Sequence, residues 1–409
     1  MERRGAFNLT VLGWAVALPV LFLAVVGLAA VHATDRPDAA QTASAAPLEA
    51  PNKADWLNVA GRGIGDATLR QTLFLFTGVV LLLIMLGPSY RRIGDHAYLI
   101  YGFVILLLAL LVIDKYIDLP LIPVKRNTRR WIQLGLFQIQ PSEFIKPALI
   151  LVLARYLRFR HSYRTWRGLI PPFLLTLLPM ILILRQPDLG TLLMLLPVLF
   201  AMLFVAGARL QHLVTILLLG LALLPLFYFF GMEDYQRKRI EVLLKQGSSD
   251  ERWHMDAGYQ LRQSKVALGA GGLFGEGYGE GDFVRNELLP EEHNDFIFAI
   301  IGNQWGFIGC ALVVLAYVIL VVVGVEVAMS TNDPFGRLLA VGVIAMIVMQ
   351  ALLNIGMTIG LAPITGMTLP FVSAGGSSLW ANFIALGLLL NVAQRRPLLI
   401  ANPPFQHAD

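Results

Sequence analysis

Apolar runs separated by short charged connections recur from one end of the chain to the other. About ten of them are long enough to cross a hydrocarbon layer ~30 Å thick as helices. They fall at roughly 9–32, 71–87, 98–113, 143–157, 168–184, 191–207, 211–230, 296–324, 338–358 and 379–394. The strict apolar/polar alternation of a membrane barrel is absent. The pattern predicts an all-α integral membrane protein, one polytopic domain over 1–409. Composition agrees: 56% of the residues are hydrophobic and 14% charged, and the mean hydropathy is +0.67. A soluble chain of 409 residues needs far more charge to cover its surface.

The charges orient the spans. Arg3, Arg4, Arg91, Arg92, the arginines from Arg155 to Arg167, Arg209, Arg337, Arg395 and Arg396 all fall on one side. The positive-inside rule makes that side cytoplasmic, with both termini. The apolar core of 1–33 is too long for a cleaved signal peptide and predicts a retained first helix. The outer side then holds everything long or irregular. Segment 34–70, rich in Ala, Pro and Asp, reads as a flexible loop without chemistry. A large loop at 231–295 joins the seventh and eighth spans. The single Cys310 excludes an internal disulfide and a thiolate metal cluster. Seven scattered histidines form no pair with metal-ligand spacing, so no structural zinc is expected. No internal repeat is visible, which speaks against an inverted-repeat transporter.

Five outer-side stretches have residues that could carry chemistry. RRWIQLGLFQIQPSEFIKP (129–147) sets Arg129, Arg130 and Trp131 before Glu143 and Lys146, which stand three apart at the start of a short apolar span. A local ion pair and a cationic cradle for a phosphate head group both suit them, and ionisable groups there are costly. RQPDLGT (185–191) has Arg185 and Asp188 around Pro187, which suits a tight turn with a local Arg–Asp pair. GAGGLFGEGYGEG (269–281) lacks the Lys-Ser/Thr of a phosphate-binding loop and reads as backbone flexibility. LPEEHNDFIFAIIGNQWGFIG (289–309) places Glu291, Glu292, His293 and Asp295 at the mouth of an apolar run. Asn294 or Asp295 suits a helix N-cap. A half-desolvated carboxylate there also suits a general base. GLAPITGMTLPFVSAGGSSLWANF (360–383) breaks regular helix at membrane depth, which requires protein burial or a wet cavity. Its Gly375, Gly376, Ser377 and Ser378 open the last span and suit an anion. Aromatic, cationic and carboxylate groups on one face fit a lipid-linked, phosphorylated sugar at the outer leaflet.

These stretches, with YQLRQSKVALGAGGLFGEG (259–277), stand in the order found in the RodA/FtsW (SEDS) proteins, which the chain resembles over nearly all of 71–397. The QSKVALGAGGLFGEG run and PFVSAGGSS place it nearer the RodA branch. The resemblance implies ten transmembrane helices and a peptidoglycan glycosyltransferase that polymerises lipid II into glycan strands on the outer face, serving elongation and shape. It implies a class B penicillin-binding transpeptidase as partner, alongside membrane lipids and the growing glycan strand. No nucleic acid is expected. It makes Asp295 the essential aspartate and Glu287, Trp131 and Lys146 further required positions. Glu143, Arg185 and Asp188 lie in its motifs, as do Gln263, Ser264, Ser377 and Ser378. Three features depart from the pattern: Ala374 where Tyr is usual, Asn303 and Gln304 where acids are common, and a long 34–70 loop.

The resulting expectation is inverting transfer. Asp295 takes the proton of the acceptor's 4-hydroxyl while that oxygen attacks the donor's C1. Lys146 and Arg130, helped by Arg185 or a divalent cation (Mg or Mn), stabilise the departing undecaprenyl pyrophosphate. Two other readings stay open: a lipid II flippase, and a non-catalytic scaffold that activates a penicillin-binding protein. The few ionisable groups at mid-membrane speak against the flippase.

Overall fold

The computed structural model describes residues 11–35, 66–117, 122, 130–134, 137–160, 162–246, 258–281, 283 and 294–395. The helices are α1 Val11–Thr34, α2 Asp66–Leu86, α3 Tyr90–Asp95, α4 Ala97–Ile117, α5 Pro141–Leu157, α6 Trp166–Leu184, α7 Leu189–Ala206, α8 Leu210–Phe230, α9 Asp234–Leu244, α10 Tyr259–Ala270, α11 Ile297–Met329, α12 Pro334–Ile359 and α13 Gly376–Gln394. A two-stranded antiparallel hairpin, β1 Ile132–Leu134 and β2 Phe137–Ile139, precedes α5 with Ile132 opposite Ile139. The all-α architecture holds, with this one short hairpin added to it. Ile132 and Ile139 alternate with Gln133 and Gln138, a period of two that suits a short hairpin.

Local chemistry sets the helix ends. Pro141 starts α5 and Pro334 starts α12 at positions where a missing N–H costs nothing. The Thr165 hydroxyl accepts from the Gly168 amide at the head of α6. Gly207 and Gly360 end α7 and α12 in left-handed conformation. Among the described residues, nine helices are long and apolar enough to cross a membrane. The remaining predicted span, the fourth in chain order, is α5, with 17 residues and charged groups toward both ends. It is buried nearly throughout, packed against α4, α7, α12 and α13. It is shorter than the other nine, and Glu143, Lys146 and Arg155 lower its hydropathy.

Two predicted boundaries move. The eighth span is one 33-residue helix broken at Gly306, whose φ of 64° and ψ of −160° leave the helical region. The predicted outer loop contains α9 and α10. Each end of the bundle has its own character. Arg155 pairs with Asp95 at 2.9 Å and Arg91 with Asp333 at 3.1 Å at one end. The hairpin, the start of α7, the start of α11 and segment 360–375 meet at the other.

Candidate active site

The hairpin is stitched to the last span. The Ser377 hydroxyl donates to the Gln138 carbonyl (3.2 Å) and accepts from the Gln140 amide (3.0 Å). The Arg130 guanidinium donates to the Pro187 carbonyl, and Trp131 beside it is half-buried. Gln140 and Ser142 reach Asp188 at 3.2 and 2.8 Å. Asp188 also caps α7, accepting from the Thr191 amide at 3.2 Å and its hydroxyl at 3.0 Å. Four neutral donors thus surround this buried carboxylate. The local Arg185–Asp188 pair expected from the sequence does not form: Arg185 is exposed at the end of α6. Asp188 already has its partners, and burying a guanidinium with it would cost more than it returns.

Glu143 and Lys146 do form the i, i+3 pair, with Nζ 2.6 Å from Oε2. Lys146 is only 1% exposed. Their charges satisfy each other inside the bundle, so the cradle read from the sequence is reduced at these two positions to a buried ion pair.

Asp295 lies at the same end. The helix begins at Ile297 and its N-cap position falls on Phe296, whose side chain offers no acceptor. Asp295 is therefore one residue outside the cap that the sequence suggested. It is half-buried, and its carbonyl accepts from Asn354 Nδ2 at 2.9 Å. The same nitrogen donates to the Met367 carbonyl at 2.5 Å. Gly366, with φ of 72°, stands against the Asp295 carboxylate: a Cβ there would lie 3.4 Å from Oδ2. On the far side, a Cβ on Gly190 would strike Met367 and Thr365. Segment 365–367 is thus sandwiched between Asp295 and the first turn of α7, which brings the Asp188 cluster and Asp295 to one locality.

The glycine run is not flexible backbone but a docked brace. Its Glu276 and Gly277 amides donate to the Asn303 and Gln304 carbonyls at 2.8 and 3.3 Å, and Gly272 and Leu273 carbonyls accept from Phe307 and Ile308. The chains approach so closely that a Cβ on Gly275 (φ 87°) would sit 2.1 Å from the Gln304 carbonyl oxygen. These bonds take up the groups that the break at Gly306 leaves without helical partners. Asn303 explains itself here: its amide donates to the Glu276 carboxylate at 2.9 Å, where an acid would repel. Ala374 is half-buried against the core and Gln304 is buried.

Of the other sequence candidates, Ser378 bonds Thr368 (2.6 Å) and Gln350 (3.1 Å). With Ser377 tied to the hairpin, both serines hold protein rather than present hydroxyls to an anion. Ser264 donates to the Thr358 carbonyl at 2.9 Å and anchors α10 to α12. Gln263 is half-buried. Glu287, Glu291, Glu292 and His293 lie outside the described residues. Among the described residues no three His, Cys, Asp or Glu side chains gather as metal ligands.

Sequence reasoning passed over Gln350, Asn354 and Thr358, all fully buried on α12. Their four-residue spacing inside an apolar span was the available signal, since it lines up one face of a helix. Gln350 holds the Thr368 carbonyl at 3.0 Å and Thr358 holds the Asn354 carbonyl at 2.8 Å. Arg239 of α9, whose guanidinium donates to the Ile364 carbonyl at 2.7 Å, was also missed.

Comparison with known proteins gives this architecture a place. Residues 61–397 match the family model of FtsW, RodA and SpoVE, described as cell cycle proteins. Stage V sporulation protein E of Bacillus subtilis is 38% identical over 333 residues, covering 80% of this chain and 86% of that protein. The peptidoglycan glycosyltransferase RodA of Treponema pallidum is 32% identical, covering 83% and 92%. A solved structure reported for the structural coordination of polymerization and crosslinking by a peptidoglycan synthase complex contains a chain with TM-score 0.74 and 28% identity, covering 94% of this chain and 98% of that one. The nearly all-helical, multi-pass chain belongs to the FtsW/RodA/SpoVE family.

Proposed function

We propose that the chain is a peptidoglycan glycosyltransferase that polymerises lipid II, with Asp295 as general base. The observation that carries this is the setting of Asp295: half-buried, outside the helix cap, its backbone held by Asn354 and its carboxylate facing Gly366. A carboxylate held by its main chain and not used as a cap can take a proton from a sugar hydroxyl. The acceptor's 4-hydroxyl oxygen bonds to C1 of the donor's MurNAc on the face opposite the leaving group. Its proton passes to Asp295, the C1–O bond breaks with inversion, and undecaprenyl pyrophosphate departs with the electron pair. Arg185, exposed at this end, is the better cation for that pyrophosphate. Lys146 is paired with Glu143, whereas Arg130 donates to one neutral carbonyl and keeps its charge.

The arginine-rich end supports the orientation. Arg91, Arg92, Arg155, Arg158, Arg160 and Arg337 crowd the end away from Asp295, which by the positive-inside rule faces the cytoplasm. The site then faces outward, where the lipid-linked substrate is displayed. The peptidoglycan synthase complex among the structural relatives supports a transpeptidase partner of the class B penicillin-binding type, and the RodA relative supports a role in elongation.

The test is polymerisation of labelled lipid II by the full chain in proteoliposomes without an ion gradient, with and without a co-purified transpeptidase. Wild type should make glycan strands, and Asp295→Asn should lose ~10²- to 10⁴-fold in rate, the range a positioned base contributes. Wild-type speed in Asp295→Asn would retire the base. Transfer of lipid II across the bilayer without strands would favour a flippase, and strands only from the partner would favour a scaffold.

A further inference from the structure

The base is only as good as its placement, and one buried side chain sets that placement. Asn354 is fully buried in the middle of the site end of α12. Its amide nitrogen has two protons and makes two bonds, to the Asp295 carbonyl at 2.9 Å and the Met367 carbonyl at 2.5 Å. In the first turn of α11 the Ala299 and Ile300 amides go to the Phe296 carbonyl. The Asp295 carbonyl therefore takes its bond from α12 rather than from its own helix. Met367 is the residue after Gly366, which faces the Asp295 carboxylate. One nitrogen thus holds the backbone under the carboxylate and the backbone of the wall opposite it.

We propose that Asn354 is a positioning residue for the glycosyl transfer, setting the gap between Asp295 and Gly366 in which the acceptor hydroxyl is deprotonated. The proposal rests on Asp295 being the base. Neighbouring polar groups serve the frame around this gap: Gln350 one turn earlier fixes Thr368 and Ser378, and Thr358 one turn later closes back on the Asn354 carbonyl. Of these three side chains on α12, Asn354 is the one that bonds both walls. Losing it removes the donors from the half-buried Asp295 carbonyl and the buried Met367 carbonyl and lets the walls drift. Small misplacements of a reacting group cost rate far more than binding.

The experiment measures lipid II polymerisation by the full chain. Asn354→Leu, of the same branched shape and without donors, should lower kcat at least ~10-fold with KM within about twofold, because the lost interaction acts in the transition state. Asn354→Gln keeps both protons on a longer arm and should recover most of kcat at unchanged KM. The double variant Asp295→Asn with Asn354→Leu should be no slower than Asp295→Asn alone, since positioning a base that is gone has no further value. A raised KM at constant kcat, or losses that multiply in the double variant, would overturn the proposal. Should Asn354→Leu fail to accumulate in the membrane, Asn354→Ser, which is shorter and has one proton to donate, decides in its place: kcat lowered severalfold at constant KM supports the role, and an unchanged kcat or a change confined to KM overturns it. Full activity of Asp295→Asn would instead remove the base assignment, which these kinetics report separately.

Discussion

Two buried asparagines, one at each end of the bundle, do the same physical job with different consequences. At the arginine-rich end, Asn391 of α13 donates to the Met85 and Pro88 carbonyls at 2.6 and 2.7 Å and accepts from the Tyr90 amide at 3.1 Å. It pins the connection between α2 and α3. At the other end, Asn354 donates to the Asp295 and Met367 carbonyls. Both satisfy backbone that regular helix does not, where an unmade bond is expensive. The difference is what is tied. Asn391 fixes a connection between regular helices, beside ion pairs such as Arg91–Asp333, whose arginine is exposed and whose aspartate is half-buried. Asn354 fixes irregular backbone that carries a half-buried carboxylate. An asparagine is thus structural or functional according to whose carbonyl it holds, and kinetics distinguish the two where burial does not.

Variants can break this contrast in order of expected size. Lys146→Met strands the Glu143 carboxylate in the interior and should cost ~3–5 kcal/mol, with the Glu143→Gln, Lys146→Met double variant regaining most of it. Thermal melting in detergent measures both. Asn391→Leu leaves three backbone groups at the arginine-rich end unsatisfied and should cost ~3 kcal/mol. Turnover per folded molecule should stay at the wild-type value, unlike Asn354→Leu. A kcat loss in Asn391→Leu with folding intact would erase the contrast.

Gly275→Ala forces a Cβ toward the Gln304 carbonyl at a left-handed φ. It should cost ~1–3 kcal/mol and slow polymerisation by loosening the break at Gly306, read as melting and rate together. Asn303→Asp removes the amide that donates to the Glu276 carboxylate and sets a second carboxylate against it, so it should cost ~1–3 kcal/mol, read as a lower melting temperature that Asn303→Asp with Glu276→Gln largely restores. Arg91→Ala, at an exposed pair, should change stability by ~0–1 kcal/mol and activity not at all.

Much of the frame was legible in the chain. Runs of apolar residues near Val11, Leu210 or Leu312 name spans because lipid rewards them regardless of neighbours, and α8 shows the limit: only His212 and Leu213 are buried along it. The short α5 was legible as a span, but its depth was not, because Glu143 and Lys146 lower its hydropathy and become tolerable only once paired. The gathering of candidate chemistry on one side was visible, and so was Asp295 as a carboxylate at an apolar boundary. The roles of Asp188, Ser377 and Ser378 were not, since their partners Ser142, Gln138 and Gln350 come from 28 to 239 residues away. The glycine run read as slack because positive φ and close approach look the same in a sequence as freedom.

The sequence by itself determined a polytopic helical membrane chain, its charge asymmetry and the family it belongs to, because hydrophobic length, charge placement and ordered motifs are properties of contiguous residues. Only the tertiary structure decided which polar groups are consumed in holding it together, and which carboxylate stands outside a helix cap against a glycine. Those outcomes depend on buried donors meeting carbonyls from distant segments. No local pattern specifies such pairings, and the high cost of leaving them unmade in a membrane interior enforces them.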